Sequence, residues 1–327
     1  MQMQLTSEAF SSRPEQALLA QFQRVSSEAR NGTVWFHQPH NLYLSDRQAE
    51  TYLDLMRAPG YGGSFHEVLR GLIRRNRKHI LAGLKDPIDL FDLGPGYPDK
   101  TFPLLDALRG AGRSCRYIPV DISRRFLRVV GDACRPFGFP IEPQNCLFEE
   151  LPGIINRSAA TNRGSRLVIL GVTFMNYPPH AILDLMSQLL RPGDALLLAV
   201  ELFQVGRVNE MMRPYQSPAA ERFNFLVLDS LGVDPAAVEY RVRFRRSRIE
   251  MGFRFLRPVR LQGIEVPHGR EVVTSVSYRH THESFLELLQ ANFESVRIFE
   301  DLDRGCSVAR VSSSSGAAGT QERRIKR

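Results

Sequence analysis

The sequence predicts an α/β fold, a doubly wound and largely parallel sheet interrupted by an α+β insertion. Three features lead there. Short apolar runs alternate with helical stretches from Asp86 to Glu201, a glycine turn follows the first run, and the alternation stops beyond Glu201. The runs Ile88 to Leu93, Tyr117 to Val120, Leu167 to Val172 and Ala195 to Val200 have strand length, as expected of strands covered on both faces. Helical spacing fits Lys100 to Arg109, Ser123 to Phe137 and Pro179 to Leu190, the last closed by Arg191-Pro192-Gly193-Asp194.

Past Glu201, residues 206 to 232 are expected to be helical, with strands over 240 to 261 and 271 to 279. A helix from His282 to Asn292 and two closing strands near 296 to 298 and 307 to 311 return the chain to the core. The expected organisation is a flexible N-terminus over 1–30, a substrate-covering domain from 31–68 and 206–279, a core from 69–205 and 280–311, and a disordered basic tail over 312–327.

With 327 residues, 43% of them hydrophobic and 24% charged, the chain has material for a large core and lacks the composition of a disordered protein. No apolar run approaches the roughly 18 residues that cross a bilayer, and Met1 to Phe10 has no signal-peptide pattern. Cys115, Cys134, Cys146 and Cys306 show no CxxC or zinc spacing, so reduced thiols in the cytoplasm and no metal are expected. The net charge of +8 owes three units to the last eight residues. Arg241, Arg243 and Arg245 alternate with apolar residues as on a surface strand, so charge alone does not call for a nucleic-acid partner.

The densest chemical signal is Phe91-Asp92-Leu93-Gly94-Pro95-Gly96, where the first strand enters its first helix. Glycines there let a ligand approach the backbone at the carboxyl end of the sheet. Asp99 occupies the third position of a dinucleotide fingerprint, which argues against NAD, and no P-loop occurs. Asp121, ending the second strand, is placed to accept hydrogen bonds from both ribose hydroxyls, although it could instead cap the next helix. Together the turn and the acid favour S-adenosylmethionine, with Lys100 a candidate contact for its carboxylate.

Five fragments then appear in a familiar order. They are Asp92-Leu93-Gly94-Pro95-Gly96-Tyr97-Pro98-Asp99-Lys100-Thr101, Tyr117-Ile118-Pro119-Val120-Asp121-Ile122-Ser123, Leu170-Gly171-Val172-Thr173-Phe174-Met175-Asn176, Arg222-Phe223-Asn224 and Ser247-Arg248-Ile249-Glu250-Met251. The chain from Trp35 to about Val311 resembles the histidine-specific N-alpha-methyltransferases of ergothioneine biosynthesis, as a divergent member. The resemblance implies a Rossmann-like methyltransferase core with an inserted domain closing over a small-molecule amino-acid substrate, whose alpha-amino group is methylated. It implies cofactor binding by Gly94, Gly96, Lys100, Asp121, Phe148 and Tyr61, with Gly171 at the same end of the pocket. It also implies that Asn176 meets the substrate amine, beside Thr173, and Tyr215 the carboxylate, while Phe223, Met251, Ser275 and Ser277 line the side-chain pocket.

Two positions depart from the family pattern. Leu147 stands where relatives carry an acid near adenine, and Ser275 stands where they carry the glutamate that binds imidazole. The second exchange shifts the expectation from histidine towards a neutral or aromatic amino acid. Two other readings compete: a nucleic-acid amino-methyltransferase, suggested by Asn176-Tyr177-Pro178-Pro179 with its aromatic in the wrong place, and a non-catalytic cofactor-binding relative. Methyl count and oligomeric state leave no mark in the sequence.

Overall fold

A computed structural model describes residues 14–29, 32–58, 63–159, 164–261 and 263–312. Twelve strands, β1 to β12, form two main sheets and a hairpin among these residues. The larger sheet has the order β11-β12-β5-β4-β2-β3. Its strands are β2 (Ile88–Leu93), β3 (Cys115–Val120), β4 (Arg166–Gly171), β5 (Ala195–Glu201), β11 (Ser295–Asp301) and β12 (Cys306–Ser312). The first four are mutually parallel, whereas β12 runs antiparallel to both β5 and β11.

Every residue of β2 and β4 is buried, which explains their unbroken apolar runs. One face packs Leu183, Met186 and Leu289, and the other packs Leu69, Leu72, Leu104 and Val130, so helices cover both sides. The helices Phe102–Gly110, Arg124–Cys134 and Pro179–Leu189 lie where expected, the first preceded by a 3-10 turn at Pro98–Lys100. Ser123 caps the second helix by accepting from the Phe126 amide, so Asp121 is not its cap.

The chain order reverses beside β2, which has β3 on one side and β4 on the other. Open α/β sheets bind ligands at the carboxyl ends of strands around such a reversal. Gly94, Asp121, Thr173 and Glu201 all follow or end these strands.

The second sheet has the order β1-β10-β7-β6: β1 (Val34–Trp35), β6 (Val238–Arg245), β7 (Arg248–Phe255) and β10 (Glu271–Tyr278). The parallel pairing of β1 with β10 joins the N-terminal segment to the insertion. A small hairpin, β8 (Val259–Leu261) and β9 (Ile264–Val266), stands apart. Helices Asp46–Arg57 and Pro218–Asp229 pack together against this lobe.

Two boundaries need correction. Residues 14–28, assigned above to a flexible terminus, form a helix whose Leu18 and Phe22 are buried with Phe36, Val227 and Phe253. The helix Gly63–Leu81 crosses the expected boundary at 68, because Val68, Leu69 and Leu72 pack on the parallel sheet. The predicted tail lies almost wholly outside the described residues, as 313–327 are not described. Among the described residues no helix is long and apolar enough to cross a membrane.

Candidate active site

Two adjoining cavities meet where the lobes face each other. The first, of about 390 Å³, reaches from the glycine turn past Asp121 to Leu147 and Phe148. The second, of about 270 Å³, lies between Asn176 and the inner face of the covering sheet. Asn176, Val172, His66, Tyr43 and Tyr52 line both.

Gly94 and Gly96 hold φ values of 61° and 57°, a left-handed backbone that favours glycine. A Cβ on Gly94 would stand 3.0 Å from the Thr173 hydroxyl oxygen, and one on Gly96 would stand 3.3 Å from the Tyr52 ring. The turn is braced from below by Asp92, whose Oδ2 accepts from the Thr101 hydroxyl at 2.7 Å and the Tyr117 hydroxyl at 2.9 Å. Buried Lys100 folds back, donating from Nζ to the Pro95 carbonyl at 2.9 Å.

Asp121 is 6% exposed, and its Oδ1 accepts from the Ser123 amide at 2.8 Å. Burial pushes its carboxyl up to about 7, with nearby Asp92 adding to the rise and the Ser123 amide opposing it. Hydroxyl donors from a ligand would relieve this desolvation. Phe148 stacks on Tyr177 with ring centroids 5.5 Å apart, forming a flat wall at the far end. A left-handed glycine turn, a desolvated acid and an aromatic wall fit an adenosine-bearing cofactor with a charged tail.

The second cavity gathers Tyr215, Phe223, Met251, Ser275 and Ser277, all expected there. The Ser275 hydroxyl donates to the Asn224 side-chain oxygen, and the Asn224 amide donates to the Ala220 carbonyl at 2.9 Å. Tyr215 accepts at its hydroxyl from Arg279 Nη2 at 2.7 Å, while the Arg279 guanidinium lies 5.6 Å from its ring centre. The same guanidinium, with a fully buried side chain, reaches Glu201 at 2.9 Å and the Ser277 hydroxyl at 2.5 Å. Asn176 sits at the junction with its backbone carbonyl accepting from His37 Nε2 at 3.0 Å. Its side-chain amide makes no hydrogen bond among the described residues.

Burial lowers the titration of His37, His40 and His66 to about 4, so these imidazoles are uncharged at neutral pH. No imidazolium therefore repels a cationic ligand at the junction.

Three expectations change. Thr173 lines only the first cavity, with its hydroxyl committed to the Gly94 carbonyl at 3.2 Å, so it braces the turn rather than facing the second cavity. Gly171 lines neither cavity; at φ 54° it leaves room for the Lys100 stem, which a Cβ would approach to 3.0 Å. Tyr61 lies outside the described residues.

Other lining groups were not singled out from sequence. Glu201 ends β5 at the side of the sheet where sites form, a signal that could have found it. His37, and Arg279 behind the lining residues Tyr215 and Ser277, carried no such signal, since only the packing of two lobes brings them in.

The fold and its paired cavities define a methyltransferase of the Rossmann-like class. The family described as "Histidine-specific methyltransferase, SAM-dependent" matches residues 38–312, and the chain belongs to it. A histidine N-alpha-methyltransferase of Mycolicibacterium smegmatis is 32% identical over 262 residues, covering 72% of this chain and 79% of the relative. One of Mycobacterium tuberculosis is 31% identical with the same coverage. Among solved structures, the CurJ carbon methyltransferase superposes with a TM-score of 0.49 at 15% identity, covering 94% of this chain and 70% of that one. The chain is thus an S-adenosylmethionine-dependent N-methyltransferase.

Proposed function

We propose that the protein transfers methyl from S-adenosylmethionine to the α-amine of a free amino acid, with a neutral side chain preferred at Ser275 and histidine included in its uncharged form. The observation that carries this reading is the junction at Asn176. Asn176 is among the residues that line both cavities, and its side-chain amide makes no hydrogen bond among the described residues.

S-adenosylmethionine supplies a methyl already activated on a sulfonium, so the chain's task is alignment and desolvation. In this reading Gly94 and Gly96 admit the cofactor tail to the backbone, Asp121 takes the ribose hydroxyls and Phe148 flanks adenine. Asn176 turns the amine lone pair towards the first cavity. Tyr215 receives a hydrogen bond from Arg279, which directs its own hydroxyl proton away from the guanidinium and suits it to a carboxylate. Burial makes the three histidines weak bases, so this reading takes the amine in its neutral form. Model α-amines titrate near roughly 8, which leaves a usable neutral fraction.

At the side-chain end, Ser275, Asn224 and Ser277 offer polar atoms without net charge. A charge-assisted bond is stronger than a neutral one by about 1 kcal/mol or more, so losing the family's glutamate weakens the preference for an imidazolium. The test is a mass-spectrometric screen of the common amino acids with wild-type protein and Tyr215→Phe. The expected result is N-methyl product from at least one neutral or aromatic amino acid, with KM raised about tenfold or more in the variant. No product from any amino acid would end the proposal.

A further inference from the structure

The outward face of the covering sheet carries a second cleft, of about 340 Å³, on the side opposite the substrate cavity. Alternation along β7 turns Met251 and Phe253 inward and leaves Glu250, Gly252 and Arg254 outward. Gly252 pairs with Val273, beside the irregularity in β10 between Val273 and Ser275. A Cβ at Gly252 would come 2.1 Å from the Val272 carbonyl oxygen, so the centre of this face must lack a side chain. A dimple results at this point of the face.

Arginines ring it. Arg241, Arg243 and Arg245 from β6 lie beside Arg246 of the adjoining turn and Arg248 at the start of β7, against Glu250 and Glu271, an excess of three positive charges among the lining residues. Glu271 is held by Arg243 in a two-pronged pair, Glu250 takes Arg248 Nε at 2.9 Å, and Glu239, on the same face of β6, takes Arg241 Nη2 at 2.6 Å. Arg245 and Arg246 are exposed and have no carboxylate partner among the described residues. The turn carrying Arg246 and Ser247 holds both at positive φ, 48° and 56°, where hairpins ordinarily use Asn or Gly. Trp35, 41% exposed, forms the opposite wall, with the Arg248 guanidinium 4.5 Å from its ring centre.

We propose that this cleft binds a small oligophosphate, free or as the triphosphate of a nucleotide. Guanidinium forks match phosphate oxygens, and a concave cationic surface concentrates polyanions. The dimple confines the ligand to a short phosphate chain, and Trp35 lies against it. The proposal is independent of the substrate assigned above.

Trp35 is the chain's only tryptophan, so its fluorescence reports this cleft alone. Titration of the full chain with tripolyphosphate, ATP and adenosine at near-physiological salt, followed by fluorescence and calorimetry, gives the test. Tripolyphosphate and ATP should produce a saturable change, and adenosine should not. In Arg245→Gln/Arg246→Asn, where Asn tolerates the left-handed backbone, affinity should fall about tenfold or more with melting unchanged. The proposal is overturned by any of four results. They are no isotherm with millimolar tripolyphosphate, equal binding by the variant, the same response to sulfate at matched ionic strength, or single-stranded RNA binding far more tightly than tripolyphosphate.

Discussion

Asp121 shows how one side chain can serve a ligand at the expense of the free protein. Its ordinary value is 3.8, and burial raises it to about 7 in the native state. Between those values the unfolded chain has lost the proton that the native chain retains, so this residue's contribution to stability declines as pH rises from about 4 to about 7. Above that window the penalty is constant. Asp121→Asn removes it while keeping an oxygen for the Ser123 amide. The ligand-free variant should therefore melt above the parent at pH 8, with the gap closing near pH 4. Its affinity for S-adenosylhomocysteine should fall roughly tenfold to hundredfold, because the hydroxyls lose a charged acceptor. Scanning calorimetry at the two pH values and a binding isotherm check both halves; equal melting at pH 8 would remove the burial argument.

At the scale of elements, the helix Pro14–Glu28 is a test of how packing overrides a weak local pattern. Its polar stretches hide two anchors, Leu18 and Phe22, and Phe22 meets the edge of Phe36 with ring centroids 5.0 Å apart. Phe22→Ala should cost about 3–5 kcal/mol of stability, as burial of a complete aromatic ring is lost. A shift below about 1 kcal/mol in urea unfolding would mean the helix adds little. The parallel strands were legible because each is buried on both faces and reads as an apolar run closed by a turn. Asp121 and the glycine turn were legible for a related reason, since both sit at strand ends fixed by that topology. Thr173 and Gly171 were placed in the right segment but given the wrong neighbours, because a strand end fixes position and not side-chain direction. Arg279 was illegible, for its partners Glu201, Tyr215 and Met175 come from three separate stretches of chain.

Across the whole molecule, the candidate site is the seam between two lobes rather than a feature of either. Arg279, just past β10, reaches Glu201 at the end of β5, and His37 reaches the Asn176 backbone. Tyr52 lies on Gly96, so the covering lobe also touches the cofactor turn. These contacts give the two cavities a shared wall, and filling the first completes one side of the second. Ligand that binds only the native state stabilises it by mass action, about 2.7 kcal/mol at a hundredfold excess over Kd. Hydrogen exchange should resolve where that stabilisation appears. S-adenosylhomocysteine alone should slow exchange over residues 93–101 and 172–177, whereas adding the amino acid found in the screen should extend protection to β7, β10 and residues 213–217. Protection by the amino acid confined to the parallel sheet would mean that substrate does not engage the covering lobe, and the seam would then be structural only.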